Sequence, residues 1–397
     1  PTKKPTSTKY VFVVGWVMSG VGKGISSASL GLLLKSHGLN VTAIKIDPYI
    51  NVDAGTMNPT EHGEVFVLDA GLETDQDMGN YERFLDQDLP AINYMTTGSV
   101  YLSVIEQERN LAYEGKNVEV VPDIPKEVIR RIIKAGEVAQ ADVVLVEVGG
   151  TVGEYQNVLF LEAIRMMKQA APESVATILV SYLPVPGSIG EMKTKPTQTA
   201  VRMLNSAGVF ADFIIARSPV PIDQKRKDKL ATFCNVKADN VIAAPDVASV
   251  YDIPLQFATE NFAVKLGLQL GLKLKSSNLD PWHKFTTASK RAQSVVKIAV
   301  VGKYYKTGDF ILADVYLSVL EAIKYSAYAA GLKPEITYLS AADFTTANSL
   351  KKLQQYDGVL IPGGFGTTGV VGKLNVIRYV REQKIPYFGI CYGLQLA

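Results

Sequence analysis

Four groups of residues have the types and spacing that chemistry requires. The first is a lysine among glycines, Gly20-Val21-Gly22-Lys23-Gly24-Ile25, placed just after an apolar run at residues 10–14. Glycines let backbone N–H groups approach an anion, a following helix adds the positive end of its dipole, and a lysine reaches terminal phosphates. The pattern departs from the standard phosphate loop twice: Gly24 stands where Ser or Thr follows the lysine, and Val17 where the leading glycine falls. The magnesium-holding hydroxyl must then be replaced by Ser26, Ser27 or an acidic pair. The second group is acidic. Glu147 ends an apolar run and is followed by Gly149 and Gly150, as where a nucleoside triphosphatase presents a carboxylate to its metal. Further carboxylates crowd residues 61–82, including Asp75 and Asp77. Mg²⁺ prefers oxygen donors and uses one or two carboxylates beside phosphates; a solvated acidic face has the same composition. Lys45, near the end of the apolar run 41–46, is either a ligand group at a strand's carboxyl end or an edge-strand charge. The third group is Lys193-Thr194-Lys195-Pro196-Thr197-Gln198, suited to a second polyanion or to a solvated loop. The fourth is Gly389-Ile390-Cys391-Tyr392-Gly393, a nucleophile elbow with cysteine in place of serine.

The elements that must position these groups follow from the hydrophobic pattern. Runs at 10–14, 41–46, 141–148, 176–182, 213–216 and 241–244 are short, apolar and rich in β-branched residues, as in strands buried on both faces of a parallel sheet. Helical stretches alternate with them, at 26–34, 99–108 and 126–139 among others. Residues 51–100 have little periodicity and read as a long functional loop. A second α/β unit follows residues 276–294, a linker or connecting helix, with strands at 295–301, 335–339 and 358–361 and a helix at 313–328. The fold class is thus α/β, with domains at 1–275 and 295–397.

Composition narrows the function classes. In 397 residues the net charge is only +2, which leaves no electrostatic footprint for nucleic acid or an acidic membrane surface. Two cysteines, Cys234 and Cys391, exclude a disulfide scaffold and suit the reducing cytoplasm. No apolar run has the length of a membrane span.

Taken in order, these segments resemble the CTP synthase family over nearly the whole chain. The matches are Ser19-Gly-Val-Gly-Lys-Gly24, Lys45-Ile-Asp-Pro-Tyr-Ile-Asn51, His62-Gly-Glu-Val-Phe-Val67, Asn80-Tyr-Glu-Arg-Phe84, Gly149-Gly-Thr-Val-Gly153, Lys193 to Gln198, Val301-Gly-Lys-Tyr304, Pro362-Gly-Gly-Phe-Gly366 and the Cys391 elbow. The resemblance implies a P-loop-type, dethiobiotin-synthetase-like synthase domain followed by part of a flavodoxin-like class I glutaminase domain. It implies ATP-dependent amination of UTP through a 4-phosphoryl intermediate, with ammonia drawn from glutamine, Mg²⁺ as cofactor, GTP as allosteric activator and a homotetramer. By the same resemblance Lys23 and Lys45 act on the transferring phosphoryl group, and Asp77 and Glu147 hold magnesium. Gly20, Val21, Gly22, Lys23, Gly24 and Ile25, with Asp77, Asp246 and Val247, line the ATP site. Ser19, Glu154, Tyr155, Gln156, Lys193, Thr194, Lys195, Pro196, Thr197, Gln198 and Lys229 match UTP- and CTP-binding positions. Cys391 matches the glutaminase nucleophile, and Gly364, Tyr392, Gly393, Leu394 and Gln395 match glutamine contacts, with Gly364 and Phe365 as oxyanion-hole candidates.

The chain also departs from the family. Trp16 replaces a glycine beside the phosphate loop, Glu154-Tyr155-Gln156 replaces Asp-Ile-Glu, and Pro122-Asp-Ile-Pro125 and Ala91-Ile92 replace other family residues near the pyrimidine contacts. Weak CTP feedback is the expectation from the 154–156 change. A cysteine nucleophile needs a histidine base, and His37, His62 and His283 all precede the second domain. The expectation is a glutaminase domain cut short and CTP synthesis from ammonia only. Alternative readings are an ATP-dependent amidoligase with another acceptor and a non-catalytic, nucleotide-binding paralogue that joins filaments.

Overall fold

The computed structural model describes residues 8–397 apart from 17, 19, 188–189, 304–305, 308–309, 312–313 and 365. The chain separates into two compact units, one of residues 1–55 with Val67–Leu279, the other of Thr56–Phe66 with Asp280–Ala397.

In the first unit the elements alternate: β1 (Lys9–Trp16), α1 (Lys23–Ser36), β2 (Val41–Asp47), α2 (Gln76–Leu85), β3 (Tyr94–Thr96), α3 (Thr97–Arg109), α4 (Val120–Val138) and β4 (Val143–Val148). They continue with α5 (Val158–Ala170), β5 (Val175–Tyr182), α6 (Lys195–Ser206), β6 (Phe213–Ser218), α7 (Gln224–Cys234), β7 (Val241–Pro245), α8 (Ile253–Thr259) and α9 (Phe262–Gln269). The seven strands form one sheet in the order β3-β2-β4-β1-β5-β6-β7, and every pairing described is parallel. All residues of β2 and β4 are buried, the polar Thr42, Lys45, Asp47 and Glu147 included, so both strands are covered on both faces. The main core includes Phe12, Ile44 and Val146 from the strands, with Ile132, Phe160 and Leu204 from helices α4, α5 and α6. On α1, a Cβ at Gly31 would lie 2.9 Å from Leu85 of α2 and 3.0 Å from Leu145 of β4, so the bare glycine lets the helix close on both. The stretch 51–100 is less irregular than its sequence suggests. The apolar pattern of its α2 is interrupted by Gly79 and Asn80, which hide the helical period, yet Met78, Tyr81, Phe84 and Leu85 form a buried face.

The second unit holds α10 (Asp280–Arg291), β8 (Ser294–Gly302), α11 (Leu317–Ala329), β9 (Leu332–Ser340), β10 (Gly358–Ile361), α12 (Val370–Glu382), β11 (Tyr387–Gly389) and α13 (Tyr392–Leu396). Its sheet runs β9-β8-β10-β11, again parallel. Successive β8 residues serve opposite faces: Ala299 and Val301 join a cluster with Val376 and Val380 of α12, while Val300 joins one with Leu320 of α11. The segment Thr56–Phe66 is held here through Glu64, whose N–H donates to the Asp314 carbonyl at 3.1 Å and whose carboxylate accepts from the Ser318 N–H.

Candidate active site

Parallel register assembles the first site. Lys45 stands directly opposite Glu147 across β2 and β4, and Glu147 opposite Val13 across β4 and β1. The carboxyl ends of three central strands therefore converge, the crevice where open α/β sheets take ligands. The loop after β1 contains Gly20 and Gly22 with positive φ, and Gly22 is the left-handed residue that opens α1. Lys23 begins that helix, 7% exposed, and its Nζ donates to the Gly150 carbonyl at 2.8 Å. A Cβ on Gly15 would lie 2.6 Å from the lysine's Cδ, so the stem lies over bare backbone.

The first departure from the standard loop has a steric reason. A Cβ at Gly24 would fall 2.0 Å from Asp77 Oδ1. Any side chain there would displace the carboxylate, so Asp77 takes the space that a Ser or Thr side chain would use.

Lys45 is 4% exposed and is not an edge-strand charge. Its ammonium donates to Asp77 and, at 3.3 Å, to Glu147 Oε1, with Asp75 at 3.5 Å and Asp47 at 3.6 Å. Burial opposes the ammonium, yet Asp47, Asp75, Asp77 and Glu147 outweigh it and hold its pKa well above the usual lysine range. Burial likewise pushes Asp75 and Glu147 up against the pull of Lys45. At Asp77 the lysines and Asn80 overcome burial and the carboxyl sits low. Lys23 is lowered by burial and by Lys45, against the attraction of Glu147. The carboxylates are themselves fixed: Tyr81 donates to Glu147 Oε2, Asn80 to Asp77 Oδ1, and the hydroxyls of Tyr49 and Tyr94 to Asp47, each at 3.1 Å. Among the described residues no group of three or more such side chains stands in metal-holding geometry, and the Lys45 ammonium bridges Asp77 and Glu147. The donor set itself, oxygen atoms only and rich in charge, is one that suits Mg²⁺.

Asp246, at the end of β7, pairs with Arg217 Nη2 at 2.7 Å. The other arm of Arg217 lies 2.8 Å from where a Cβ on Gly22 would be, which links Asp246 to the phosphate loop. Val247 is exposed beside it. Arg217, Asp47 and Tyr81 were not among the sequence-derived site residues, and Asp75 stood there only as one of a crowd of carboxylates. A charged residue at a strand's carboxyl end was the available signal for Arg217 and Asp47.

The turn after β4 meets α6 at Met203, and the start of that helix is tied to β5. Glu154 accepts from both the N–H and Oγ1 of Thr151, at 3.1 and 2.6 Å, and from Gln156 at 2.9 Å. Tyr155 is almost wholly exposed. Thr197 is buried, its hydroxyl 2.8 Å from that of Ser181 on β5, and Gln198 donates to Thr194 at 3.1 Å. Lys195 and Pro196 open α6. Lys193 pairs with Glu191 at 2.6 Å, and that carboxyl is held low by Lys193 first and also by Arg226 and Lys229, which places Lys229 near the same loop. Ser19 lies outside the described residues.

In the second unit Cys391 is exposed and takes φ 50° and ψ −112°, a strained turn between β11 and α13. Its flanking glycines are sterically required: a Cβ on Gly389 would meet Gly393 backbone at 2.7 Å, and one on Gly393 the Ile361 carbonyl at 2.1 Å. Tyr387 donates to the Gly393 carbonyl at 2.6 Å, and the Gln395 N–H to that of Cys391 at 3.0 Å. Leu394 is exposed and Tyr392 half-buried. Gly363, next to the expected Gly364, packs on Cys391, its would-be Cβ 3.8 Å from Sγ. Phe365 lies outside the described residues.

Comparison with known proteins agrees with both halves. The family model for the CTP synthase N-terminus matches residues 9–272, and that for class-I glutamine amidotransferase matches residues 311–397. A CTP synthase of Halalkalibacterium halodurans is 44% identical over 392 residues, 98% of this chain and 73% of that protein. One from Thermococcus gammatolerans is 47% identical over 390 residues, 98% of this chain and 72% of its own length. Among solved structures, a Trypanosoma brucei CTPS glutaminase domain with bound acivicin is 35% identical, covering 26% of this chain and 38% of that one at a TM-score of 0.23. With a lysine-bearing glycine loop ahead of a buried lysine–carboxylate cluster and a cysteine elbow behind it, the chain belongs to the CTP synthase family.

Proposed function

We propose that the first unit transfers the γ-phosphoryl group of ATP to O4 of UTP and then replaces it with ammonia. The observation that carries this reading is the register of Lys45 against Glu147, which sets a buried ammonium and two fixed carboxylates beside the glycine loop. Phosphoryl transfer demands positioning and charge neutralisation more than covalent help from the protein. The loop's backbone N–H groups and Lys23 would hold the β- and γ-phosphates, while Lys45 faces the charge spread over the transferring group. Asp77 and Glu147 would hold Mg²⁺, which supplies neutralisation of phosphate charge when bound. Arg217 and Asp246 stand at the loop's other side, with Val247, for the rest of the ATP. The turn bearing Glu154, Tyr155 and Gln156, with Ser19, Lys193 to Gln198 and Lys229, would take the pyrimidine nucleotide. In the second step ammonia attacks C4, phosphate leaves with the C–O bond electrons, and the added nitrogen loses one proton to solvent to leave the 4-amino group.

In the complete enzyme, where a histidine base is available, Cys391 would attack the carboxamide of glutamine, forming a thioester and releasing ammonia, with Gly364, Tyr392, Gly393, Leu394 and Gln395 around the substrate. Activation by GTP and placement in the cytoplasm belong to the same reading and rest on the family. No helix among the described residues is long and apolar enough to cross a membrane. Assembly into a homotetramer is supported by exposed apolar side chains on α3, α4 and the intervening loop: Leu102, Ile105, Leu111, Val120 and Val121.

The test is CTP formation from ATP, UTP and Mg²⁺ with ammonium or glutamine as nitrogen source, for the parent chain and Lys23→Ala. Turnover that the variant loses while keeping its fold is the expected result. Nucleotide binding by the parent without turnover would instead favour a nucleotide-binding paralogue.

A further inference from the structure

Trp16 occupies a place that the proposed chemistry does not use. It is the last residue of β1, half-buried, and packs on the main core together with Met203 of α6. Three contacts link it to the two elements assigned to the pyrimidine nucleotide. The Val152 N–H donates to the carbonyl of Gly15 at 2.9 Å, so the turn after β4 is tied to the strand end that carries the indole. Next in that turn is Gly153, at φ 98°; a Cβ there would lie 2.1 Å from Met203 Cε and 3.4 Å from Trp16 Cζ3. The indole edge and the thioether thus press together on the turn's backbone, where only glycine fits. On its other side Trp16 stands opposite Ser181 of β5, whose hydroxyl meets Thr197 in the first turn of α6.

We propose that Trp16, with Met203, is a wedge that sets the separation between the Glu154-bearing turn and α6, and so fixes the affinity of this site for the pyrimidine nucleotide. The inference rests on the functional reading above. Trp16 is a positioning residue: the indole acts through the turn, which carries Glu154 and Gln156, and through the helix whose start carries Lys195 and Gln198. The glycine loop touches the same turn at Gly150, whose carbonyl accepts from Lys23, and is otherwise held by the Lys23 stem over Gly15 and by Arg217 beside Gly22.

The experiment uses the full chain and ammonium-supported CTP synthesis. Trp16→Gly should raise KM for UTP about fivefold or more, with kcat at saturating UTP and KM for ATP each within about twofold of the parent. Trp16→Phe, which keeps a ring edge, should recover most of the loss, and Met203→Ala should act in the same direction as Trp16→Gly. In a Trp282→Phe background the emission of Trp16 should shift when UTP is added; Trp282 belongs to the second unit, against Phe285. An unchanged KM for UTP in both Trp16→Gly and Met203→Ala overturns the proposal, as does an equal rise for ATP and UTP, which marks a general scaffold. A parent chain that neither binds UTP nor forms CTP overturns the functional reading and the wedge with it.

Discussion

Replacing Lys45 by methionine removes the cation that pairs with Asp47, Asp75, Asp77 and Glu147 while keeping most of its volume, and leaves Lys23 as the nearby positive charge. Removing one partner of a buried ion pair costs roughly 3–5 kcal/mol, because the remaining charge is left uncompensated. The side chains of Asp75 and Asp77 keep 20% and 22% of their exposure, so water screens part of the loss. The low end, about 3 kcal/mol, is expected. For a unit of this size that corresponds to a fall in Tm of about 6–12 °C. The pH dependence follows from the direction of the shift. Lys45 has a raised pKa when folded, so its contribution is fully present below the unfolded lysine value and fades only as pH rises through the folded one. Between pH 6 and 9 the parent should therefore lose nothing through Lys45. In Lys45→Met the carboxylates lack their counter-ion and take up protons more readily in the folded state. Stability of the variant relative to the parent should then improve as pH falls from 8 to 6. Calorimetry of both proteins across that range, with and without Mg²⁺, reads each expectation, and Mg²⁺ should restore part of the lost Tm. A variant Tm within about 1 °C of the parent, at all pH values, would refute a lysine-neutralised cluster.

Glu147→Gln should abolish Mg-ATP turnover with little loss of thermal stability. Burial and Asp77 already hold that carboxyl above its ordinary range, so neutralising it removes a repulsion, as calorimetry beside a magnesium titration will read. Gly24→Ala should cost roughly 1–3 kcal/mol and most of the activity, since its methyl group would collide with Asp77; a fully active, equally stable variant would remove the steric account of that glycine. Iodoacetamide at pH 7.5 should modify Cys391 and spare Cys234, because Cys391 is exposed whereas burial pushes the Cys234 thiol up to about 11. Mass spectrometry of tryptic peptides gives the answer, and rapid labelling of Cys234 would contradict its burial.

Much of this protein was legible in its sequence because the signals are local. An unbroken apolar run such as residues 11–14, or 143–146, specifies a strand buried on both faces, and the glycines after β1 specify a left-handed opening into a helix. The Cys391 elbow is only partly written locally: the turn itself requires Gly389, against Gly393 backbone, whereas Gly393 is required by the Ile361 carbonyl of β10. Tertiary structure decided what depends on residues far apart in the chain. Whether Lys45 was a ligand group or an edge charge turned on the strand order, which put β4 beside β2 and Glu147 opposite it. The reason for Gly24 lies in Asp77, more than fifty residues on, which no local pattern connects to the loop. Helix α2 was hidden because Gly79 and Asn80, both on its buried side, interrupt its apolar period. The segment Thr56–Phe66 joins the second unit through Glu64, Asp314 and Ser318, residues that only a folded backbone can bring together. Pattern along the chain sets the conformation of each element; the placement of charge on charge is set by register and packing, which the fold alone supplies.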